Sequence, residues 1–239
     1  HTIIDASERF RGKSKGDLYG DVVEEFDYET GRLLDTVDKL GLRENTLIIY
    51  TSDNGPWNQD KYTKKKKGHP EGAIFWGDAG PLRNGKGSPY EGGYRLPCIV
   101  RWPGNVPAGR TSDAIFATID FMPTFAALAG FTTPADRYID GINQTPLLFG
   151  KQESGRDRFY FQGAGIRLGK WKYLKPTAFF HGYAVEDDRQ KVDELYDLEN
   201  DIGETTNLAL KHPKKVTELK ELMISVEGSD RLRPEDSRR

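Results

Sequence analysis

The chain has 239 residues, of which 36% are hydrophobic and 30% are charged, and its formal net charge is −2. This length suffices for one large domain, or for one domain and part of another. No apolar run approaches the ~20 residues of a membrane-spanning helix, and the charge gives no reason to expect nucleic acid or an anionic membrane as a partner. The single cysteine, Cys98, excludes an internal disulfide and a cysteine-rich zinc site.

The first part of the chain has the pattern of an α/β domain. Apolar residues recur at helical spacing between Gly16 and Leu40. A β-branched and apolar run over 46–51 then predicts a buried strand, which ends in the polar sequence Ser-Asp-Asn-Gly at 52–55. Ligands of open α/β sheets bind just beyond the carboxyl ends of strands, so this strand end is a candidate site.

A second strand and a second helix follow a long polar loop. Residues 96–102 predict another buried strand, and Asp120 is expected to cap a helix that runs to Ala129. Cys98 lies inside the predicted strand among apolar residues, so we expect it to be a buried and unreactive thiol.

The character of the sequence changes after about residue 150. Four short segments rich in aromatic or apolar residues predict a small antiparallel sheet: 158–161, 165–168, 171–174 and 195–198. Apolar residues at helical spacing between Val216 and Val226 predict a final amphipathic helix. We therefore predict two domains, 1–150 and 151–239.

Asp53 and Asn54 offer a carboxylate and an amide carbonyl at the end of the first predicted strand. Hard oxygen ligands suit Ca²⁺ or Mg²⁺ better than zinc. The sequence Asp-Asn-Gly is also a common turn, so these residues by themselves are compatible with a metal site or with a plain turn.

A glycine-rich loop over 84–97 is the second candidate site. Lys86 lies between two glycines, so the backbone can approach a ligand closely while the ammonium group binds an anion. Glu91 could form an ion pair with Arg95 across the same loop. By itself this loop is more typical of an ordinary solvent-facing connection.

Taken together and in order, these motifs resemble the sulfatase family. The resemblance rests on TLIIYTSDNG at 46–55, GKGSPYEGGYRLP at 85–97, WPG at 102–104, IDFMPT at 119–124, GKWKY at 169–173 and ELYDL at 194–198. It implies an enzyme of the arylsulfatase or carbohydrate-sulfatase type in the alkaline-phosphatase-like superfamily. The implied α/β architecture is part of a mixed-sheet domain followed by a small antiparallel sheet with a C-terminal helix.

The resemblance also implies roles for four residues. Asp53 and Asn54 are expected to bind the family's single Ca²⁺, and Lys86 is expected to contact the sulfate of the substrate. His1 is expected to lie near the leaving-group oxygen. A cation and a lysine would stabilise charge on the sulfuryl oxygens, and an imidazole could protonate the leaving oxygen.

The nucleophile of the family is a formylglycine, made from a cysteine or serine in a C/S-x-P-x-R motif that this sequence lacks. The residues around Cys98 do not match the motif, because the proline and the arginine stand at the wrong offsets. The chain begins at His1 rather than Met and shows no targeting segment. We therefore expect the nucleophile and the remaining calcium ligands in a preceding segment. Without that segment, apolar sheet surface should be exposed.

Two alternatives to a sulfatase stay open from the residues alone. One is a related phosphoesterase, although such sites use two transition metals held by Asp and His clusters, whereas an Asp-Asn pair with Lys86 favours one Ca²⁺. The other is a non-catalytic module that binds sulfated glycans. The resemblance implies a sulfated small molecule or glycan as substrate, and an extracellular, periplasmic or lysosomal location.

Overall fold

The computed structural model describes residues 4–57, 77–134, 136, 139–161, 163–178 and 191–229. The described residues form two compact units, one that ends at Gly104 and one that starts at Asn105. The predicted domain boundary near residue 150 lies inside the second unit and stays a prediction. Among the described residues, no helix is both long and apolar enough to cross a membrane.

The first unit is built on one long helix, α1 (Asp17–Lys39), which confirms the helical prediction. The buried carboxylate of Asp21 accepts hydrogen bonds from the backbone N–H groups of Ser14, Gly12 and Lys13. These bonds, from Ser14 and Gly12 above all, hold the pKa of Asp21 below its ordinary value. The turn that precedes the helix is thereby anchored to the helix itself.

Strands β1 (Ile48–Thr51) and β2 (Cys98–Arg101) pair antiparallel, with Thr51 opposite Cys98. Their positions confirm the two strand predictions, but the prediction that they are buried is wrong. Strand β1 is half-buried, and in β2 the side chain of Ile99 is 65% exposed. The reason is that the two described strands of this sheet have too little apolar surface between them to form a closed core.

Cys98 is exposed, so the prediction of a buried thiol is also wrong. The residue stands at the first position of β2, at the end of a sheet in which the described residues form two strands. The neighbouring protein atoms still displace enough water to raise the pKa of the thiol, with a smaller opposing effect from the Thr51 hydroxyl. Cys98 is therefore accessible but has little thiolate character.

The described residues also form short helices: α2 (Glu91–Tyr94), α3 (Phe121–Leu128) and α4 (Thr145–Leu148). Asp120 ends a 3₁₀ turn immediately before α3, and its side chain makes no capping hydrogen bond to that helix, which corrects the sequence prediction.

The carboxylate of Asp120 is instead fully buried at the centre of a polar network. It accepts hydrogen bonds from the backbone of Ala117 and Ile142, from the Gln144 amide and from the Arg156 guanidinium. Burial by itself would raise the pKa of Asp120, but the Arg156 guanidinium and the other donors outweigh it, and the pKa is lowered.

The second unit contains a four-stranded antiparallel sheet in which each strand pairs with the next along the chain. Its strands are β3 (Arg158–Tyr160), β4 (Gly165–Leu168), β5 (Trp171–Leu174) and β6 (Glu194–Asp197). All four strand predictions and the final helix, α5 (Pro213–Ser229), are confirmed.

The core of the second unit lies between this sheet and α5. Buried residues of the sheet, of the helix and of the turn before the helix pack into one hydrophobic cluster: Ile166, Tyr173, Leu195, Ala209, Val216, Leu219 and Met223. An ion pair between Lys172 and Glu204, with 2.8 Å between Nζ and Oε1, is buried completely. The Lys172 ammonium also lies 4.4 Å from the centroid of the Phe161 ring.

Candidate active site

The antiparallel pairing of β1 and β2 brings the two candidate motifs together. It places the carboxyl end of β1 beside the amino end of β2. The backbone N–H of Gly55 donates to the carbonyl oxygen of Gly93 at 3.0 Å, and the N–H of Lys86 donates to the carbonyl oxygen of Pro56 at 2.9 Å. The strand end and the glycine-rich loop therefore form one cluster.

Close contact between backbone segments explains the glycines of this cluster. A Cβ atom added at Gly55 would lie 1.7 Å from the carbonyl oxygen of Gly92. At Gly92 it would lie 2.2 Å from the carbonyl oxygen of Asn84, and at Gly93 it would lie 2.3 Å from that of Ser88. No residue with a side chain fits at these three positions, so the sequence patterns around them reflect packing.

Asp53 and Asn54 lie immediately before the first of these glycines. Asp53 is exposed and Asn54 is half-buried. Among the described residues, neither side chain takes part in a hydrogen bond or an ion pair. Their oxygens are therefore available to a cation at the carboxyl end of β1.

These two residues fit a calcium ion as part of its ligand shell. Ca²⁺ takes about six to eight oxygens, and a carboxylate and an amide oxygen are both suitable ligands. Within the described ranges, no group of three or more His, Cys, Asp and Glu residues could hold a metal ion. The further calcium ligands that the family resemblance implies stay a prediction.

Lys86 is half-buried, and the hydrogen bond to Pro56 holds its backbone next to the strand end. The same loop contains Glu91, which is buried, and Arg95, whose backbone N–H donates to the Glu91 carbonyl oxygen at 2.7 Å. The ion pair expected between these two side chains stays a prediction. His1 lies outside the described residues, so its role also stays a prediction.

Sequence reasoning missed two residues that support this loop. The guanidinium carbon of Arg83 lies 3.7 Å from the centroid of the Tyr90 ring, and Tyr90 is fully buried. The available signal was a cation and an aromatic residue on either side of a glycine-rich turn. That pattern is common, and only the structure shows that the two side chains meet.

Two family models match the chain. One, described as Sulfatase, matches residues 1–131, and the other, described as N-sulphoglucosamine sulphohydrolase, C-terminal, matches residues 85–228. The chain belongs to the sulfatase family. The first match includes every residue of the candidate site, and the second includes the antiparallel sheet and most of α5.

The curated relatives of this chain include sulfatases. An N-acetylgalactosamine-6-O-sulfatase of Bacteroides thetaiotaomicron is 36% identical over 91% of this chain and 43% of its own length. The steryl-sulfatase of Homo sapiens is 37% identical over 77% of this chain and 30% of its own length. The chain thus spans less than half the length of each of these two relatives.

Solved structures show the same fold. A Bacteroides thetaiotaomicron protein from a genetic locus for glycosaminoglycan metabolism superposes with a TM-score of 0.76 and 32% identity, over 92% of this chain and 47% of its own. A phosphonate monoester hydrolase of Agrobacterium radiobacter has a TM-score of 0.58 and 23% identity, over 89% of this chain and 41% of its own. The latter is similar in fold alone. The alkaline-phosphatase-like α/β fold class is thereby confirmed.

Proposed function

We propose that the protein to which this chain belongs hydrolyses sulfate esters, and that this chain supplies two calcium ligands and the sulfate-binding lysine. One observation carries the proposal. The backbone hydrogen bonds from Gly55 to Gly93 and from Lys86 to Pro56 join the Asp53–Asn54 strand end to the Lys86 loop. A pair of hard oxygens and a cationic side chain thus belong to one cluster.

The chemistry of a sulfate ester suits this cluster. Hydrolysis develops charge on the sulfuryl oxygens and on the leaving oxygen. The Lys86 ammonium would bind a sulfuryl oxygen and stabilise the developing charge. Asp53 and Asn54 would hold a Ca²⁺ ion, which when bound supplies further electrostatic stabilisation. His1 would donate a proton to the leaving oxygen. The formylglycine nucleophile implied by the family stands outside this sequence.

Relatives and neighbours favour a sulfated sugar as the substrate. The match to an N-acetylgalactosamine-6-O-sulfatase spans 91% of this chain, whereas the match to human steryl-sulfatase spans 77%. One structural neighbour was solved with k-i-k-neocarrahexaose and another with D-glucosamine-2-N,6-O-disulfate. We therefore propose that the substrate is a sulfated glycan. The extracellular, periplasmic or lysosomal location stays a prediction.

The test is an assay of the full-length protein, with its formylglycine confirmed by mass spectrometry, on an aryl sulfate and on a 6-sulfated N-acetylgalactosamine. We expect turnover that falls with EDTA and returns with Ca²⁺. Lys86→Ala should lower kcat/KM by about a hundredfold or more, as expected for loss of a group that stabilises transition-state charge.

Lys214, an exposed residue of α5, provides the matched control, and Lys214→Ala should keep full activity. An aryl phosphate tests the alternative of a phosphoesterase, and a preference for it over the sulfate esters would refute the proposal. Binding of sulfated glycans without turnover by the folded, formylglycine-containing protein would support the alternative of a non-catalytic module.

A further inference from the structure

Arg83 is attached to the glycine-rich loop through its side chain. Its guanidinium carbon lies 3.7 Å from the centroid of the Tyr90 ring, well within the range of a cation–π contact. Tyr90 is fully buried, so the ring cannot turn away without disturbing the residues packed around it. The buried ring thus gives the guanidinium a fixed surface on which to lie.

Arg83 is attached to the same loop through its backbone. Its carbonyl oxygen accepts a hydrogen bond of 2.9 Å from the N–H of Gly92. A Cβ atom at Gly92 would lie 2.3 Å from that oxygen, so the absence of a side chain permits the close approach. The contacts of Arg83 with Tyr90 and with Gly92 close the loop at its base, and Lys86 lies within the closed segment.

Lys86 is in turn bound to the strand end. Its backbone N–H donates to the Pro56 carbonyl oxygen, three residues after Asp53. The position of the Lys86 backbone therefore depends on the shape of the closed loop. A lysine ammonium stabilises a transition state only when it is held at the correct distance from the developing charge. A displacement of about 1 Å can lower the rate by about a hundredfold.

We propose that Arg83 is a positioning residue, whose contact with the Tyr90 ring keeps the loop closed and so places Lys86 against the Asp53–Asn54 strand end. The catalytic consequence rests on the proposed sulfatase function, whereas the structural consequence does not. Arg83 acts through Lys86 and needs no contact with the substrate. The two consequences can therefore be measured separately.

Hydrogen–deuterium exchange of the full-length protein tests the structural consequence. Arg83→Ala should speed exchange of the Lys86 and Gly92 amide protons by about tenfold, the factor that corresponds to a cation–π contact of intermediate strength. Arg83→Lys keeps a cation above the ring and should restore most of the protection. Arg43→Ala removes an exposed arginine of the same unit and should leave both amides unchanged. Unchanged exchange in Arg83→Ala would overturn the proposal.

A double-mutant cycle with Lys86→Ala tests the catalytic consequence. Arg83→Ala alone should lower kcat/KM by about ten- to hundredfold while the thermal midpoint stays close to that of the wild type. In the Lys86→Ala background the same change should have little further effect, because the group that Arg83 positions is already gone. Rescue of kcat/KM by Arg83→Lys should accompany the recovered amide protection.

Equal losses from Arg83→Ala in both backgrounds would overturn the positioning role, since they would show an effect that does not pass through Lys86. An active wild type that loses activity with Lys86→Ala but not with Arg83→Ala would overturn it too. A formylglycine-containing wild type that cleaves no sulfate ester would refute the proposed function instead. The inference about Arg83 would then be decided by amide exchange at Lys86.

Discussion

The carbonyl oxygen of Gly92 explains why residue 55 is glycine. Any Cβ atom at Gly55 would overlap that oxygen, and Asp53 and Asn54 directly precede this glycine in the chain. The two interpretations of Asp-Asn-Gly, as a turn and as a metal site, are thus compatible. The glycine permits close packing of the backbone, and the two preceding side chains could still bind a metal ion.

Replacing Gly55 by alanine should destabilise the first unit by at least about 1–3 kcal/mol, the usual cost of forcing extra atoms into a packed site. Urea denaturation of the full-length protein would measure the change. Gly31 in α1 is the matched control, since an added Cβ there meets nothing within 4 Å. Gly31→Ala should be neutral or stabilising by up to about 1 kcal/mol. A Gly55→Ala protein as stable as the control would contradict the packing argument.

Asp53→Asn removes a charge and keeps the size of the side chain. If Asp53 binds Ca²⁺, the change should weaken calcium binding by at least about tenfold, since even changes outside the direct ligands have such effects. Isothermal titration calorimetry of the full-length protein would measure the affinity. Asp35→Asn alters an exposed carboxylate of α1 and should leave the affinity unchanged. Equal affinity in wild type and Asp53→Asn would exclude the residue as a ligand.

At the scale of elements, one buried carboxylate connects three parts of the second unit. Asp120 ends the 3₁₀ turn before α3, accepts from the backbone of Ile142 and pairs with the Arg156 guanidinium. The Arg156 backbone also bridges to Ile115. A charge placed in this way stabilises the fold only while its donors stay in place.

The lowered pKa of Asp120 predicts a dependence of stability on pH. Because the folded-state pKa lies below the ordinary value of 3.8, the stabilising contribution is present above that value and is lost as pH falls through the folded-state pKa. Asp120→Asn should therefore cost about 3 kcal/mol or more near pH 7, where Arg156 loses its counter-charge, and less at low pH. Urea denaturation of the wild type and of Asp120→Asn, at pH 7 and at low pH, would measure the cost under each condition.

Asp157→Asn is the control for that experiment, since the Asp157 side chain is 75% exposed and its nearest cationic nitrogen, on Arg158, is 3.9 Å away. It should change stability by less than about 0.5 kcal/mol at either pH. If Asp120→Asn behaves like this control, the buried network does not contribute to stability as described.

The Lys172–Glu204 pair joins β5 to the loop that follows β6. Lys172→Met would remove the ammonium group from the buried Glu204 carboxylate and should cost about 3–5 kcal/mol. Adding Glu204→Leu should recover much of the loss, because the carboxylate is then no longer buried and both side chains of the former pair are apolar. A double mutant no more stable than Lys172→Met would mean that Glu204 is not the reason for the loss.

At the scale of the whole molecule, the described surface carries large apolar side chains that are more than half exposed. In the first unit they include Phe26, Leu33, Leu40 and Ile99, on α1, on the residue that follows it and on β2. Exposure of this kind agrees with the expectation for sheet and helix surface that other parts of a larger fold would cover. The chain also spans 43% of the length of a curated relative.

This surface predicts that the chain expressed alone self-associates and binds a hydrophobic dye strongly, whereas the full-length protein stays monodisperse and binds little. Size-exclusion chromatography and dye fluorescence would measure both properties. Replacing Ile99 by serine in the isolated chain should reduce dye binding. An isolated chain that is monodisperse, binds no dye and melts in one cooperative transition would contradict the prediction.

The sequence by itself determined the helices α1 and α5, the described strands and the family, but it did not predict the short helices α2 and α4. Helical spacing located α1 and α5, and short apolar runs located the six strands of the described residues, because these patterns depend on neighbours along the chain. The ordered motifs identified the sulfatase family and pointed to Asp53, Asn54 and Lys86. Backbone hydrogen bonds join the segments that contain these residues, and their roles stay predictions.

Tertiary structure decided how particular side chains are used. The pattern around Cys98 indicates burial, but exposure depends on what covers β2, and a two-stranded sheet covers little. Asp120 stands where a helix cap is expected, yet it makes no cap and accepts most of its hydrogen bonds from residues far along the chain, among them Ile142 and Arg156. Burial and pairing are properties of the contacts made in three dimensions, and the local sequence specifies only which groups are available to make them.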